Sequence, residues 1–454
     1  MDVEIAHLPT KLCRGISTQA IEVMFRHLIE SKKYPDQIAY CDWHKFTSSK
    51  LNMPSSVAKY MFKIFRVISQ TPAERLHYNR SQKKAIKFGD FERHIDQTRV
   101  SLHKLLLFVW LQYSISASPI LAKEEDPELH QRCLTEFLAS KVSGALALTC
   151  TKRSAIEEND VDHLSIMTGT AIIDTSLSQA LQWSPLDISK ASEVIRNHLS
   201  KPNQHFSPNE HLSGLKNEVV YHDDMVRTIT NCQMSQIYIL QCITNNVVIR
   251  NCESCTIMLG AVSTILRVEN CRCVNIVATC NAIIVDECKD SNLFISANVE
   301  PFVFDNNQDI WFAPYNSAYK NQAQHVRDAG IYYRLNLFDQ WTYVTNTKDQ
   351  TLSIAKEYPP EMFSYHEVQR DQHESEIVNP CPLPKRYASY MQKRIKCMNE
   401  MMRSIDKICD SDTEAYQRVE KYMSSKFEEW VNRGPEADIS FHYKLCKQLN
   451  SKIK

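Results

Sequence analysis

Apolar residues recur at three- to four-residue spacing through roughly the first two hundred positions and again towards the end, with a different rhythm between. Ser17 heads a segment with Ile21, Phe25, Leu28 and Ile29 on one face, and another begins near Ser55 with Val57, Met61, Ile64, Phe65 and Ile68. Both spacings predict amphipathic helices. Thr71-Pro72-Ala73-Glu74 reads as a capping box, with proline at the first helical position where its missing N–H costs nothing. Val100–Tyr113 and Glu128–Leu148 continue the helical pattern until Pro185 and Pro202 interrupt it. Ser200–Asp224 turns polar, as a linker or domain edge does. Tyr332–His366 predicts strands and loops covering the end of the middle region. Beyond Pro384, the row Tyr387, Met391, Ile395, Met398, Met402 and Ile405 predicts a long helix with that row turned inward. Ser411-Asp412-Thr413-Glu414 predicts a further helix bearing Val419, Met423, Phe427, Trp430 and Val431, stopped at Gly434-Pro435.

The middle rhythm is a repeat. A Cys or Asx is followed by an apolar residue five positions on and another at seven. The units are Cys232, Ile237, Ile239; Cys252, Ile257, Leu259; Cys271, Ile276, Ala278; Cys288, Leu293, Ile295; and Asp305, Ile310, Phe312, spaced 20, 19, 17 and 17 residues apart. Asn231, Asn251 and Asn270 precede the first three cysteines, and Ile229, Ile249, Val268, Val285 and Phe302 fall three places before each start. So short a period excludes helical-hairpin repeats and fits single coils of a parallel β-helix, whose apolar rows are buried only by stacking. Fold class is therefore α+β: a central right-handed parallel β-helix between helical regions. The expected units are 1–204 helical, 205–345 β-helix, and 346–454 irregular and then helical.

Composition removes several functions. The eight glycines among 454 residues are all at least ten positions apart, so no G-x-x-x-x-G-K, G-x-G-x-x-G or G-x-S-x-G exists. Lys plus Arg equals Asp plus Glu at 53 each, which gives no broad basic field for nucleic acid. The longest apolar run, Leu105–Leu111, is seven residues against about 20 for a membrane span. The start shows no secretory pattern, and Asp2 breaks the N-myristoylation pattern. A cytoplasmic chain with buried thiols, no lipid anchor and no cofactor is expected.

Cys252-x-x-Cys255 with Cys271-x-Cys273 resembles a zinc site in spacing, but the repeat sets Ser235 and Ser291 at the positions equivalent to Cys255. Ladder cysteines are the better reading. His366, Glu367, Asp371, His373 and Glu374 lie in a polar stretch without helical His spacing, and His222-Asp223-Asp224 lacks a third ligand. No catalytic, cofactor-binding or metal-binding residue is assigned. The basic residues of the helix after Pro384 form a solvated face or a surface for an acidic partner.

Val247–Tyr315 resembles the cofactor C-like domain shared by tubulin-binding cofactor C, the retinitis pigmentosa 2 protein and, in related form, cyclase-associated proteins. The resemblance rests on the spaced cysteines and on Ile310-Trp311-Phe312-Ala313-Pro314-Tyr315, similar to that family's F-A-P-Y ending. Similar flanks occur in one branch of the family: Trp43 leading to Thr71-Pro72-Ala73-Glu74-Arg75-Leu76, then Leu383-Pro384 with Tyr387, Val419-Glu420 and Lys426-Phe427-Glu428-Glu429-Trp430. The resemblance implies GTPase activation in active members through an arginine of a Q-x-R motif. Such a guanidinium contributes about 10³ to 10⁵ in rate. Here Ile284 stands at that position and Ala282 at the glutamine; Arg250, Arg267 and Arg272 stand at other coil positions. The expectation is a non-enzymatic cytoskeletal adaptor. By resemblance it acts at the centrosome, basal body or spindle pole, in microtubule organisation, Golgi positioning and cell shape. Its expected partners are proteins, with tubulin or a small GTPase as candidates. The alternatives are a binder or regulator of tubulin or Arf-like GTPases without its own arginine, and a tubulin-folding factor.

Overall fold

The structure is a computed structural model describing residues 13, 15–30, 36–71, 73–74, 99–121, 127–150, 155–168, 176–200, 210–331, 355–366, 368, 379, 381–411 and scattered positions from 414 to 425. Its centre is a parallel β-solenoid of about six turns, with helices on both sides in sequence.

The N-terminal region is helical where the spacing predicts it. Helices α1 (Thr18–Glu30), α2 (Tyr40–Leu51) and α3 (Ser55–Ser69) gather with α4 (Leu102–Ser116) and α5 (Pro127–Thr149) around one core. Ser17 accepts the Ala20 amide at 3.1 Å and begins α1. The Thr71–Glu74 capping box closes, with Glu74 accepting the Thr71 amide at 2.8 Å; the helix it starts lies outside the described residues. Residues 99–101 are a correction. Instead of opening the helix they form β2 (Arg99–Ser101), antiparallel to β1 (Gln37–Ala39), and Ser101 then caps α4. Short helices α6 (Glu158–His163), α7 (Ser165–Thr168) and α8 (Leu177–Ala180) precede α9 (Ile188–Leu199), which packs on α5.

The solenoid begins earlier than the cysteine repeat shows. Strands β3 (His211–Ser213) and β4 (Val219–Tyr221) already form a coil, so 211–221 is not linker. One strand row runs β3, β5 (Thr228–Thr230), β7 (Val247–Arg250), the end of β8 (Thr256–Glu269), the end of β9 (Asn275–Asp286) and β11 (Phe302–Val303). The other runs β4, β6 (Gln236–Thr244), the starts of β8 and β9, β10 (Lys289–Ala297), β12 (Gln308–Pro314) and β13 (Ala355–Glu357). All these pairings are parallel. Ile237, Ile257, Ile276, Leu293 and Phe312 stack in one buried column. Phe312, not Ile310, continues it. The last coil is displaced by two residues from the repeat, and Asn307 replaces the fifth cysteine, accepting the Cys288 amide at 2.8 Å.

The corner between the rows explains the repeat's chemistry. Asn231, Asn251 and Asn270 have φ of 57°, 55° and 49°, the left-handed region that asparagine tolerates better than most residues. Their amides bond from coil to coil, Asn251 to Asn231 at 3.2 Å and Asn270 to Asn251 at 2.8 Å. The cysteine that follows is buried, and its thiol donates to the carbonyl two residues back: Cys232 to Thr230 at 3.3 Å, Cys252 to Arg250 at 3.4 Å, Cys271 to Glu269 at 3.3 Å; Cys288, after Glu287, does the same to Asp286 at 3.3 Å. Ser235, Cys255 and Ser291 repeat that bond three residues on. A small side chain with one weak donor fits these corners. Cys252, Cys255 and Cys271 face the core while Cys273 is exposed, so the four thiols of the zinc spacing do not converge. Burial also raises the Cys255 thiol, whereas a zinc ligand needs a thiolate.

The Tyr319 hydroxyl reaches the solenoid backbone at Gly260, where a Cβ would stand 2.9 Å from that oxygen and 3.3 Å from the Cys242 carbonyl. Tyr319 is fully buried and has no room to swing. Gly260→Ala is expected to cost about 1–3 kcal/mol in chemical denaturation. In a Tyr319→Phe background the cost is expected to fall; equal costs in both backgrounds would place the clash elsewhere.

Candidate functional site

Two columns of the first strand row point outward. One contains His211, Thr228, Val248, Arg267, Ile284 and Phe302; the other contains Ser213, Thr230, Arg250, Glu269 and Asp286. Ile284 and Arg267 are register partners in the same column, Arg267 one coil earlier. Arg250 lies in the neighbouring column and Arg272 at the corner.

Helix α3 lies on this face. It is apolar almost all round, with ten of its 15 residues buried, because it is packed from two sides. The row Val57, Met61, Ile64, Phe65 and Ile68 is legible at helical spacing; Tyr60 and Lys63 stand off it. The Tyr60 ring lies 4.3 Å from that of Phe302, and its hydroxyl donates to the Ile283 carbonyl at 3.4 Å. Ile284 is 0% exposed and shares one apolar cluster with Ile265, Ala282, Val299, Phe302, Phe304 and the helical core.

The polar groups beneath α3 are paired. Lys63 donates to Glu300, which follows β10, and both side chains are largely buried. Burial pulls the Lys63 ammonium down to about 8 against the attraction of Glu300. Burial pushes Glu300 up, but Lys63 outweighs it and holds the carboxyl below its usual range. Arg267 donates from Nε to Glu269 Oε1 at 2.9 Å, and Arg250 donates to Oε2 at 2.7 and 3.0 Å. Glu269 is buried, which raises its pKa, yet the two arginines bring it down to about 2. Arg267 is thus bound along the solenoid and covered, at 8% exposure. It does not project.

Two further faces are covered by the chain itself. Tyr238, Met258, Val277 and Phe294 pack under Tyr315, Phe363 and Tyr387, the last at the start of α11 (Lys385–Ser411). Ala261 packs under Val326, Ala329 and Ile331, around α10 (Gln322–Asp328). Asn281 donates to the Ser263 carbonyl at 2.6 Å and the Ala329 carbonyl at 3.2 Å, fastening that layer. The first coils keep polar outer columns, with His211 bonded to Thr228 at 2.6 Å and Thr230 to Ser213 at 3.2 Å.

Of the weaker sequence candidates, His366 bonds to Tyr238 at 3.3 Å and its amide to the Asn316 carbonyl, while Asp371, His373 and Glu374 lie outside the described residues. The His222 amide donates to the Tyr238 carbonyl as part of the coil. Among the described residues no group of three or more His, Cys, Asp or Glu is placed to hold a metal, and no helix is long and apolar enough to cross a membrane. The second helix expected after Ser411 is described only at scattered positions, and Val419, Met423 and Phe427 to Val431 fall outside them.

A parallel solenoid whose last strand carries Phe312-Ala313-Pro314, with Tyr315 after it, and whose outward column at Ile284 is covered defines the class. Residues 226–343 match the family Tubulin binding cofactor C. The chain as a whole is similar to TBCC domain-containing protein 1 of Bos taurus, 21% identical over 88% of each chain. It is also similar to TBCC domain-containing protein 1 of Mus musculus, 20% identical over 94% of this chain and 91% of the other.

Ile284→Arg is expected to destabilise the protein by about 3 kcal/mol or more, since it buries an unpaired charge in register with Arg267. An unchanged unfolding midpoint would show that α3 does not cover the column. Glu269 makes the acid response readable. Its folded pKa of about 2 lies below the unfolded value of 4.5, so the unfolded chain takes up a proton that the folded chain refuses. The stability from Glu269 is complete above pH 4.5 and is lost as pH falls towards 2. Denaturant titrations across that range should show a shallower pH slope for Glu269→Gln than for the native chain.

Proposed function

We propose that this protein is a non-catalytic adaptor of the tubulin cofactor C-like proteins. It is cytoplasmic and works at the microtubule-organising centre, in centrosome or basal-body positioning, Golgi placement and cell shape. The observation that carries the non-catalytic part is the outward column at Ile284: an apolar side chain stands there, α3 lies over it, and Arg267 is tied down by Glu269. A finger that reaches a bound nucleotide must project into the partner. The centrosomal and Golgi roles are supported by family resemblance. The working units are the helical region 1–204, the solenoid 205–345 and the C-terminal region 346–454.

Among the described residues, the polar columns of the first coils are a solenoid surface that the covering layers leave open for partners. Tubulin, which the family name carries, is the first partner to test. Single-turnover GTP hydrolysis by tubulin and by an Arf-like GTPase is expected to proceed at the same rate with and without this protein. Acceleration of either would overturn the non-catalytic reading. Binding of tubulin in sedimentation without acceleration is the result the adaptor reading expects; no binding would remove tubulin as its direct partner.

A further inference from the structure

Helix α11 does two different things along its length. Its first turns are seated: Tyr387 is buried with its hydroxyl donating to the Tyr358 carbonyl at 2.5 Å, Arg386 pairs with Glu357 at 2.9 Å, and Arg394 donates to the Phe363 carbonyl at 2.5 Å. Met391 and Ile405, at the two ends of the apolar row, are packed by the chain itself, and Met401 packs with Cys397 and Tyr422. Between these ends the row does not turn inward as its spacing predicts. Ile395, Met398 and Met402 are 52%, 47% and 54% exposed. At about 100° per residue the three fall within an arc of about 60°. Isolated exposed apolar residues need no explanation, but three on one arc of a fixed helix do.

Charge selects what fits there. The chain as a whole is neutral, yet residues 385–407 carry Lys385, Arg386, Lys393, Arg394, Lys396, Arg403 and Lys407 against Glu400 and Asp406. Arg386 and Arg394 are engaged by the fold, and the Lys393 ammonium stands 5.4 Å from the centre of the Tyr390 ring. Lys396 and Arg403 are exposed and seven residues apart, so they stand on one side of the helix. By the same rotation they lie about 110–130° from the middle of the stripe, while Tyr387, Arg394 and Met401 lie on its other flank. The stripe thus runs between the protein body and a pair of cations. An excess of bases over acids on one helix favours an acidic occupant and opposes a like-charged one. Size and composition separate a protein from a bilayer. From Ile395 to Met402 the stripe is about 10 Å long, whereas bilayer-binding helices bury a wider face rich in Trp, Phe and Leu. Two of its three side chains are methionines, whose flexible thioethers re-pack against protein surfaces of differing shape.

We propose that this stretch of α11 binds an acidic amphipathic helix of a partner protein. Apolar side chains on one face of that helix rest on Ile395, Met398 and Met402, and carboxylates one heptad apart face Lys396 and Arg403. The apolar contact supplies most of the binding. The exposed ion pairs contribute little each and act on partner choice and the rate of encounter. So short a contact buries less than the roughly 800 Å² per partner of a standard interface, and the complex is therefore weak and reversible. The inference rests on the adaptor reading, to which it adds a class of partner and a surface separate from the polar first-coil columns.

The test is fluorescence anisotropy with the full chain and a labelled synthetic peptide of three heptads, with leucine at a and d and glutamate at e and g. The glutamates keep copies of the peptide apart at neutral pH. Tubulin and GTPases are absent from this assay, so its failure leaves the non-catalytic reading standing, and accelerated GTP hydrolysis would leave this contact standing. The expected result is saturable binding with Kd below about 100 μM, weakened about tenfold by the double variants K396E/R403E and M398Q/M402Q. All four side chains are exposed, so both variants should keep the native circular dichroism. A peptide with glutamine at every glutamate is expected to bind about tenfold more weakly or less. No saturable binding would overturn the proposal. So would binding that either double variant leaves untouched, or equal binding of the glutamine peptide. Binding of phosphatidylserine vesicles in place of the peptide would give the stripe to a bilayer, and a two-chain mass abolished by M398Q/M402Q would give it to a second copy; either result overturns the acidic helix.

Discussion

In a parallel solenoid each coil repeats the backbone of the one before, so a side chain's surroundings are set by its column more than by its sequence neighbours. Inward columns must be apolar throughout, as Ile229, Ile249, Val268, Val285 and Val303 are. Outward columns have no such rule. They are solvated where polar and must be covered where apolar. The change in one outward column from His211 and Thr228 to Ile284 and Phe302 therefore decides where α3 rests, and with it the relation of the helical region to the solenoid.

That contact is not purely apolar. Taking Lys63 and Glu300 out of water is costly, and their attraction offsets the cost only because they meet directly. Replacing such a pair by apolar residues is often neutral or stabilising, so its value here lies in position. A lysine on α3 and a glutamate in the turn after β10 satisfy one another in a single placement of the helix along the coils. The apolar contacts of Tyr60 with Phe302 then supply the burial, while the pair fixes where it occurs.

The solenoid was legible because its rule is local: one left-handed asparagine, one small thiol, and apolar residues five and seven positions on. It failed where the rule relaxed. The first coil has Gly214 and Leu215 at its corner in place of Asn and Cys, so 211–221 looked like linker although Lys216 bridges to Gln233 as later coils do. The last coil has Asn307 in the thiol's place, and counting from Asp305 put its columns two residues out. The cover over Ile284 left a fainter trace. A second apolar arc on α3, carrying Tyr60 and interrupted by Lys63, signals a helix with two neighbours, but nothing local says what the second is. The shared column of Arg267 and Ile284 depends on register between coils, which a linear spacing does not give.

The same limit explains α11. Helical spacing says that Tyr387 to Ile405 share a face; it does not say that one neighbour covers them all. A solenoid has finite height, and a 27-residue helix is about 40 Å long at 1.5 Å per residue. Its first turns lie against Tyr358 and Phe363, and its later turns pack with Tyr422, leaving Ile395 to Met402 exposed between two supports. The apolar row is continuous while the supporting surface is not. A stripe fixed at both ends loses little conformational freedom on docking, since the backbone ordering has already been met by the fold.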